Sequence, residues 1–181
     1  INDLCAELVQ RGHEVTVLTG KPNYPDGVVF DEYKQSPSAF NNYHGCQVVR
    51  VPMIARGKSP IQLMLNYVSF SMSASLFGML KLRKKQFDIV FVCQLSPVTL
   101  ALPAILYKKT HKIPMIMWVL DLWPDTLEAL GVVKSKKILA MTGKLVSFIY
   151  NQCDLILGQS KAFYDGISHY CNNSDKIKYF P

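Results

Sequence analysis

What this 181-residue chain lacks narrows its reading before anything present is weighed. It contains neither G-x-G-x-x-G nor G-x-x-x-x-G-K-[ST], so neither glycine-rich phosphate cradle can be built from the residues given. Its five cysteines (Cys5, Cys46, Cys93, Cys153, Cys171) are odd in number and include no C-x-x-C. That pattern supports neither a disulfide framework nor a zinc site and fits a reducing, cytosolic setting. The four histidines (His13, His44, His111, His169) are far apart and lack metal-ligand spacing, so no metal site is expected. Acid is in short supply: 13 Asp and Glu stand against 20 Lys and Arg, a net charge of +7. The excess favours an anionic partner, whether phosphate, lipid headgroup or nucleic acid, without choosing among them. The residues given include no initiator Met and no stretch that reads as a secretory signal, so the sequon Asn172-Asn173-Ser174 is expected to be an accidental match. Residues 1–11 already look like a helix in progress, with Leu4, Leu8 and Val9 at helical spacing and Gly12 where a left-handed C-cap belongs; a preceding segment is expected.

What is present is a chain that is 49% hydrophobic and 18% charged, long enough for one compact unit with a real core. The stretches 14–19 (EVTVLT) and 47–52 (QVVRVP) read as strands, as do the near-continuous apolar runs 87–92 (FDIVFV), 113–120 (IPMIMWVL) and 154–158 (DLILG). Such runs suit strands covered on both faces, and 176–180 is a weaker strand of the same kind. Helical stretches over roughly 60–85, 98–110, 135–152 and 160–170 alternate with them. Alternation of this kind predicts βαβ units and an α/β fold: a Rossmann-like parallel sheet with helices on both faces.

In such sheets ligands bind beyond the carboxyl ends of the strands, which singles out Gly20–Tyr24, Cys93–Pro97, Asp121–Asp125 and Gln159–Ser160. Asp121 follows the most hydrophobic strand and could accept a hydrogen bond from a hydroxyl or act as a base; a turn residue bonding local backbone accounts for it equally well. Asp125, after Pro124, is explained by the dipole of a short helix over 124–130. Trp123 could stack on a ring or simply pack locally. The loop PNYPDG (Pro22–Gly27) is stiff enough to present Asn23 and Tyr24. Gln94 and Ser96 lie beyond a buried strand, and for Ser96 and Ser160 helix capping is the plainer role.

From Pro60 to Leu80 no residue is charged, a length that raises the question of a membrane span. Asn66, Ser69 and Ser73 form one stripe opposite Leu65, Val68, Met72 and Leu76, so a soluble helix with a small-residue face is the preferred reading. The cluster Lys81, Arg83, Lys84, Lys85 follows it, with Lys134, Lys136 and Lys137 further on. The first cluster suits either a helix C-terminus or an anionic membrane surface met peripherally.

Taken in order, LCAELVQRGHEVTVLTGKPNYPDG, NYVSF, CQLSPVTLALPA, WVLDLWPDTLEALGV and CDLILGQSKAF resemble the N-terminal half of a family 4 glycosyltransferase. The likeness is nearest to the branch that builds bacterial O-antigen, capsule and exopolysaccharide, including the L-fucosamine transferase type. L-x-x-R-G-H-E-V-x-V-L-T is shared by many sugar transferases; P-N-Y-P-x-G together with D-L-W-P-D is more specific. The resemblance implies a GT-B architecture of two Rossmann-like domains facing across a cleft. Residues 1–181 would be the acceptor-binding domain, with the first strand, its glycine loop, and the donor-binding domain with its E-x7-E motif expected outside this sequence. It further implies a retaining transferase that needs no metal and no cofactor beyond a nucleotide-sugar co-substrate, UDP-linked by family habit. Asp121 would align and polarise the acceptor hydroxyl, while Asn23, Tyr24, Gln94, Ser96, Trp123 and Asp125 would contact substrate in one groove at the strand tips. The acceptor would be an undecaprenyl-diphosphate-linked or other glycan. No nucleic acid partner is expected, and the enzyme would be cytoplasmic, held peripherally on the inner face of the plasma membrane. A sugar-nucleotide epimerase-like enzyme and a non-enzymatic α/β binding domain remain the rival readings.

Overall fold

The computed structural model describes residues 1–181, which fall into two compact units, Ile1–Lys85 and Gln86–Pro181, each with its own sheet. In the first unit, helix α1 (Asn2–Gln10) ends where Gly12 takes φ 89°, with the Gly12 and His13 amides bonded back to Val9 and Leu8. This is a Schellman closure, and it turns the chain into strand β1 (Thr16–Thr19). After helix α2 (Asp31–Gln35) come two strands, β2 (Asn42–Tyr43) and β3 (Cys46–Arg50). The sheet order is β1-β3-β2, with β1 and β3 parallel and β2 antiparallel to β3. The hairpin formed by β2 and β3 was not legible beforehand: β2 is two exposed residues long, and its turn rests on positive φ at His44 and Gly45.

Helix α3 (Pro60–Ser73) opens with a capping box, the Ser59 hydroxyl accepting from the Gln62 amide while the Gln62 side chain accepts from the Ser59 amide. It runs without a break through a π turn at Ala74–Gly78 into helix α4 (Met79–Leu82), so the expected helix ends three residues before Lys85.

The second unit holds strands β4 (Val90–Gln94), β5 (Met115–Val119), β6 (Leu155–Gly158) and β7 (Ile177–Tyr179) in the order β4-β5-β6-β7, all parallel. They are flanked by helices α5 (Leu102–His111, entered through a 3-10 turn at Val98–Ala101), α6 (Asp125–Ala129), α7 (Lys136–Gln152) and α8 (Phe163–Tyr170). This is the Rossmann-like α/β arrangement. Alternate residues of β5 differ in cover: Met115, Met117 and Val119 are fully buried, while Ile116 and Trp118 on the other face are half-buried. The core around them is made by Ile105, Val146, Ile149, Ile156 and Ile167.

Two lysines close the C-terminal end of α7. The ammonium group of Lys108 donates to the Gln152 carbonyl, and that of Lys176 donates to the carbonyls of Tyr150 and Cys153. Cations at that end complement the helix dipole as well as the unpaired carbonyls. Lys108 also pairs at 2.6 Å with Asp154, whose Oδ2 accepts from the Met115 amide at 2.7 Å. Partial burial works against the charged form of Asp154, but the Lys108 hydrogen bond, the Met115 amide and the nearby lysine charges hold its carboxyl below the ordinary value. A carboxyl lowered on folding stabilises the fold above its unfolded pKa of about 4 and loses that effect as pH falls through the lower folded value. Asp154→Asn should therefore lower the melting temperature at pH 7, and thermal melts should show the gap to wild type closing as the pH is taken below about 4.

Candidate functional site

The strand ends of the second unit carry the polar groups that the strands themselves cannot hold. Asp121 lies just past β5, half-buried, and its Oδ2 accepts a 2.9 Å hydrogen bond from the Trp123 indole. The indole also packs on the hydrophobic core, so the ring that orients the carboxylate is itself fixed. Pro124, buried behind it, begins α6 after a cis peptide bond. Asp121 Oδ1 has no protein donor, which leaves one carboxylate oxygen able to accept from a hydroxyl.

Gln94 is not beyond the strand but is the last residue of β4, in the same inward row as Val92. It is 0% exposed, and neither its amide nitrogen nor its amide oxygen has a hydrogen-bond partner in the protein. Its backbone carbonyl accepts from the Leu120 amide, which fixes the tip of β4 against the exit of β5. Ser96 is exposed beside a cis bond to Pro97, and its hydroxyl makes no helix cap. The Ser160 hydroxyl does accept from the Ala162 amide, at 3.3 Å, in the turn entering α8.

Asp125 faces elsewhere. With Glu128 it borders an open hollow of about 370 Å³ between α6, α7 and α8, also lined by Gly143, Lys144, Ser147 and Tyr170. A side chain at Gly143 would press on the Tyr170 ring at 3.0 Å, so glycine keeps that wall open. Burial, and then the charges of Asp125 and Glu128, push the Tyr170 phenol up. Tyr150, buried in the core, is raised by the same kind of cause: desolvation first, with Cys153, Asp125 and Asp121 adding to it. Both phenols stay neutral donors at physiological pH. The Cys153 thiol is likewise pushed up to about 12 by burial, which makes it a packing group rather than a nucleophile.

A second cavity of about 370 Å³ lies past the ends of β6 and β7, lined by Ser160, Lys161, Tyr164, Lys178 and Tyr179 among others. Lys161 sits over the Tyr179 ring at 5.7 Å. Sequence reading had pointed to Ser160 here but missed the two lysines and two tyrosines. The signal that could have found them is their place in register beyond β6 and along β7.

Asn23 and Tyr24 belong to the first unit. The Asn23 amide is buried and engaged on both sides, donating to the Lys21 carbonyl and accepting from the Arg56 amide, so it builds the loop. Tyr24 is exposed, with the Arg56 guanidinium 5.4 Å from its ring centre. A Cβ at Gly27, where φ is 76°, would collide with the Arg56 carbonyl, which ties the far end of PNYPDG to the same arginine. No group of His, Cys, Asp or Glu is arranged to hold a metal ion.

A family model described as "Glycosyl transferase 4-like domain" matches residues 1–181. No curated protein matches the chain.

The unpartnered Gln94 amide bears on stability as well as on chemistry. Two buried polar atoms without partners cost free energy that an apolar side chain of similar size avoids. Urea denaturation of Gln94→Leu is expected to show a stability gain of about 1 kcal/mol; a loss of that size would mean that the amide is satisfied in solution.

Proposed function

Since the chain belongs to the glycosyl transferase 4-like domain family, we propose that it forms the acceptor side of a retaining transferase of bacterial surface-polysaccharide synthesis. The enzyme would move a sugar from a nucleotide-sugar donor, UDP-linked by family habit, to a lipid-linked glycan. The observation that carries this reading is the carboxylate of Asp121, oriented by Trp123 at the exit of β5 with one oxygen unclaimed. The likeness of PNYPDG and DLWPD to the O-antigen, capsule and exopolysaccharide branch, with its L-fucosamine transferases, supports the finer assignment. The positive net charge supports an acceptor bearing diphosphate.

In this mechanism Asp121 accepts a hydrogen bond from the acceptor hydroxyl and aims its oxygen at the anomeric carbon. The new carbon–oxygen bond forms on the face from which the nucleotide diphosphate departs, and the hydroxyl proton passes to the departing phosphate oxygen. The carboxylate therefore positions and polarises without becoming covalently bound, and no protein nucleophile is required. Ser96 and Trp123, beyond the strand ends of the second unit, are the proposed substrate contacts beside Asp121. A lipid-linked acceptor would place the enzyme in the cytoplasm, on the inner face of the plasma membrane.

Asp121→Asn in the full-length enzyme is the test. The amide keeps an oxygen that can accept from the indole, so the melting temperature should move little, while turnover with a nucleotide sugar and lipid-linked acceptor should fall about 100-fold or more. Wild-type turnover in this variant would remove Asp121 from the mechanism.

A further inference from the structure

The 23-residue helix Pro60–Leu82 is turned inside out for a protein surface. Its polar and small residues face the first unit: Asn66, Ser71, Ala74 and Gly78 are buried. The Asn66 amide donates to the Ile54 carbonyl at 2.6 Å, the Ser69 hydroxyl accepts from the Ile54 amide at 3.0 Å, and Gly78 allows the Leu18 side chain to lie against the helix. One row of its large apolar residues faces outward. Ile61, Met64, Leu65, Val68, Met72 and Leu76 are all exposed, Met72 to 68% and Leu76 to 60%. Leaving a continuous row of side chains of this size in water is unfavourable, which implies an occupant.

The π turn keeps that row straight. Residues of an α-helix advance by about 100°, so in an unbroken helix Leu80 would sit about a quarter-turn or more away from Ile61. The wider turn at Ala74–Gly78 takes up about one residue, which returns Leu80 to the exposed row and Leu82 to the buried one.

Charge identifies the occupant. No Asp or Glu occurs between Glu32 and Asp88, a stretch that carries Lys34, Arg50, Arg56, Lys58 and the cluster Lys81–Lys85. Within that cluster Lys81 donates to the Arg50 carbonyl and Lys85 to the Gln47 side chain, while Arg83 and Lys84 project into solvent. Exposed Lys58 lies just before the apolar row, and Arg83 and Lys84 just after it.

We propose that this row is a membrane-docking face that lies in the plane of an anionic bilayer. Ile61, Met64, Leu65, Val68, Met72 and Leu76 would enter the acyl boundary, with Lys58, Arg83 and Lys84 at the lipid phosphates. The helix is long and apolar enough to cross a bilayer, with a mean hydropathy of 1.3, but its other face is bound to Ile54 and Arg50 of its own unit, so it rests on the membrane rather than spanning it. Only the purpose of this docking, access to a lipid-linked acceptor, rests on the function proposed above. The test uses vesicles without acceptor, so failed docking and failed sugar transfer are distinguished.

Flotation of the full chain with vesicles of equal parts phosphatidylcholine and phosphatidylglycerol should recover the protein in the lipid fraction, with weaker recovery on phosphatidylcholine alone. The double variant Met72→Ser, Leu76→Ser, at two exposed positions, should keep its circular dichroism spectrum and bind the mixed vesicles at least about tenfold less tightly. Arg83→Ala, Lys84→Ala should also weaken binding and flatten its salt dependence. Equal binding by wild type and the serine pair, or no binding by folded wild type, overturns the proposal. So does a lipid-free dimer in light scattering that the serine pair abolishes, because a second copy of the chain would then cover the row.

Discussion

Strand β5 is hydrogen-bonded along both edges and seals the core with Met115, Met117 and Val119, and that burial dictates where polar chemistry can sit in the second unit. A strand so placed cannot carry a charge between its ends. It therefore enters on one aspartate and leaves on another: Asp154, brought in by β6, takes the Met115 amide, and Asp121 stands just past Val119. The first is tied to Lys108 and serves the fold; the second is held by an indole and keeps an oxygen to spare. Their difference in partner, a full cation against a neutral N–H, separates the structural acid from the candidate functional one.

Much of this was legible in the sequence, for identifiable reasons. The apolar runs that became β4, β5 and β6, and the helices between them, are long and strongly patterned, so burial and period agreed. Gly12 could be placed as a helix stop because a left-handed residue there needs no side chain. The π turn at Ala74–Gly78 left no trace in the pattern of residue types. Nor did β2, two residues held only by pairing with β3. The strand expected over 87–92 forms instead at Val90–Gln94, in register with β5, and that shift moved Gln94 from a loop into the inward row.

Sequence gives a residue's place along the chain but not the orientation of its side chain. The strand-end rule selected Asp121, but only coordinates could show the Trp123 indole bonded to it, or the Asn23 amide spent on its own loop. The polar stripe of Asn66, Ser69 and Ser73 was visible as a period. Which side it faced was not, because a helix wheel gives the angle between two rows and never says which one meets the protein. The bonds to Ile54 settle it, and they reverse the usual expectation that large apolar side chains turn inward.

The widened turn at Ala74–Gly78 also bears on how such a segment tolerates change in length. Removing one residue there would let the backbone wind through as ordinary α-helix while leaving every upstream and downstream side chain on its present side. Two chains unequal by a single residue at this point would thus be interchangeable recipes for one surface, whereas the same deletion a turn or two earlier would swing Met72 and everything after it out of line.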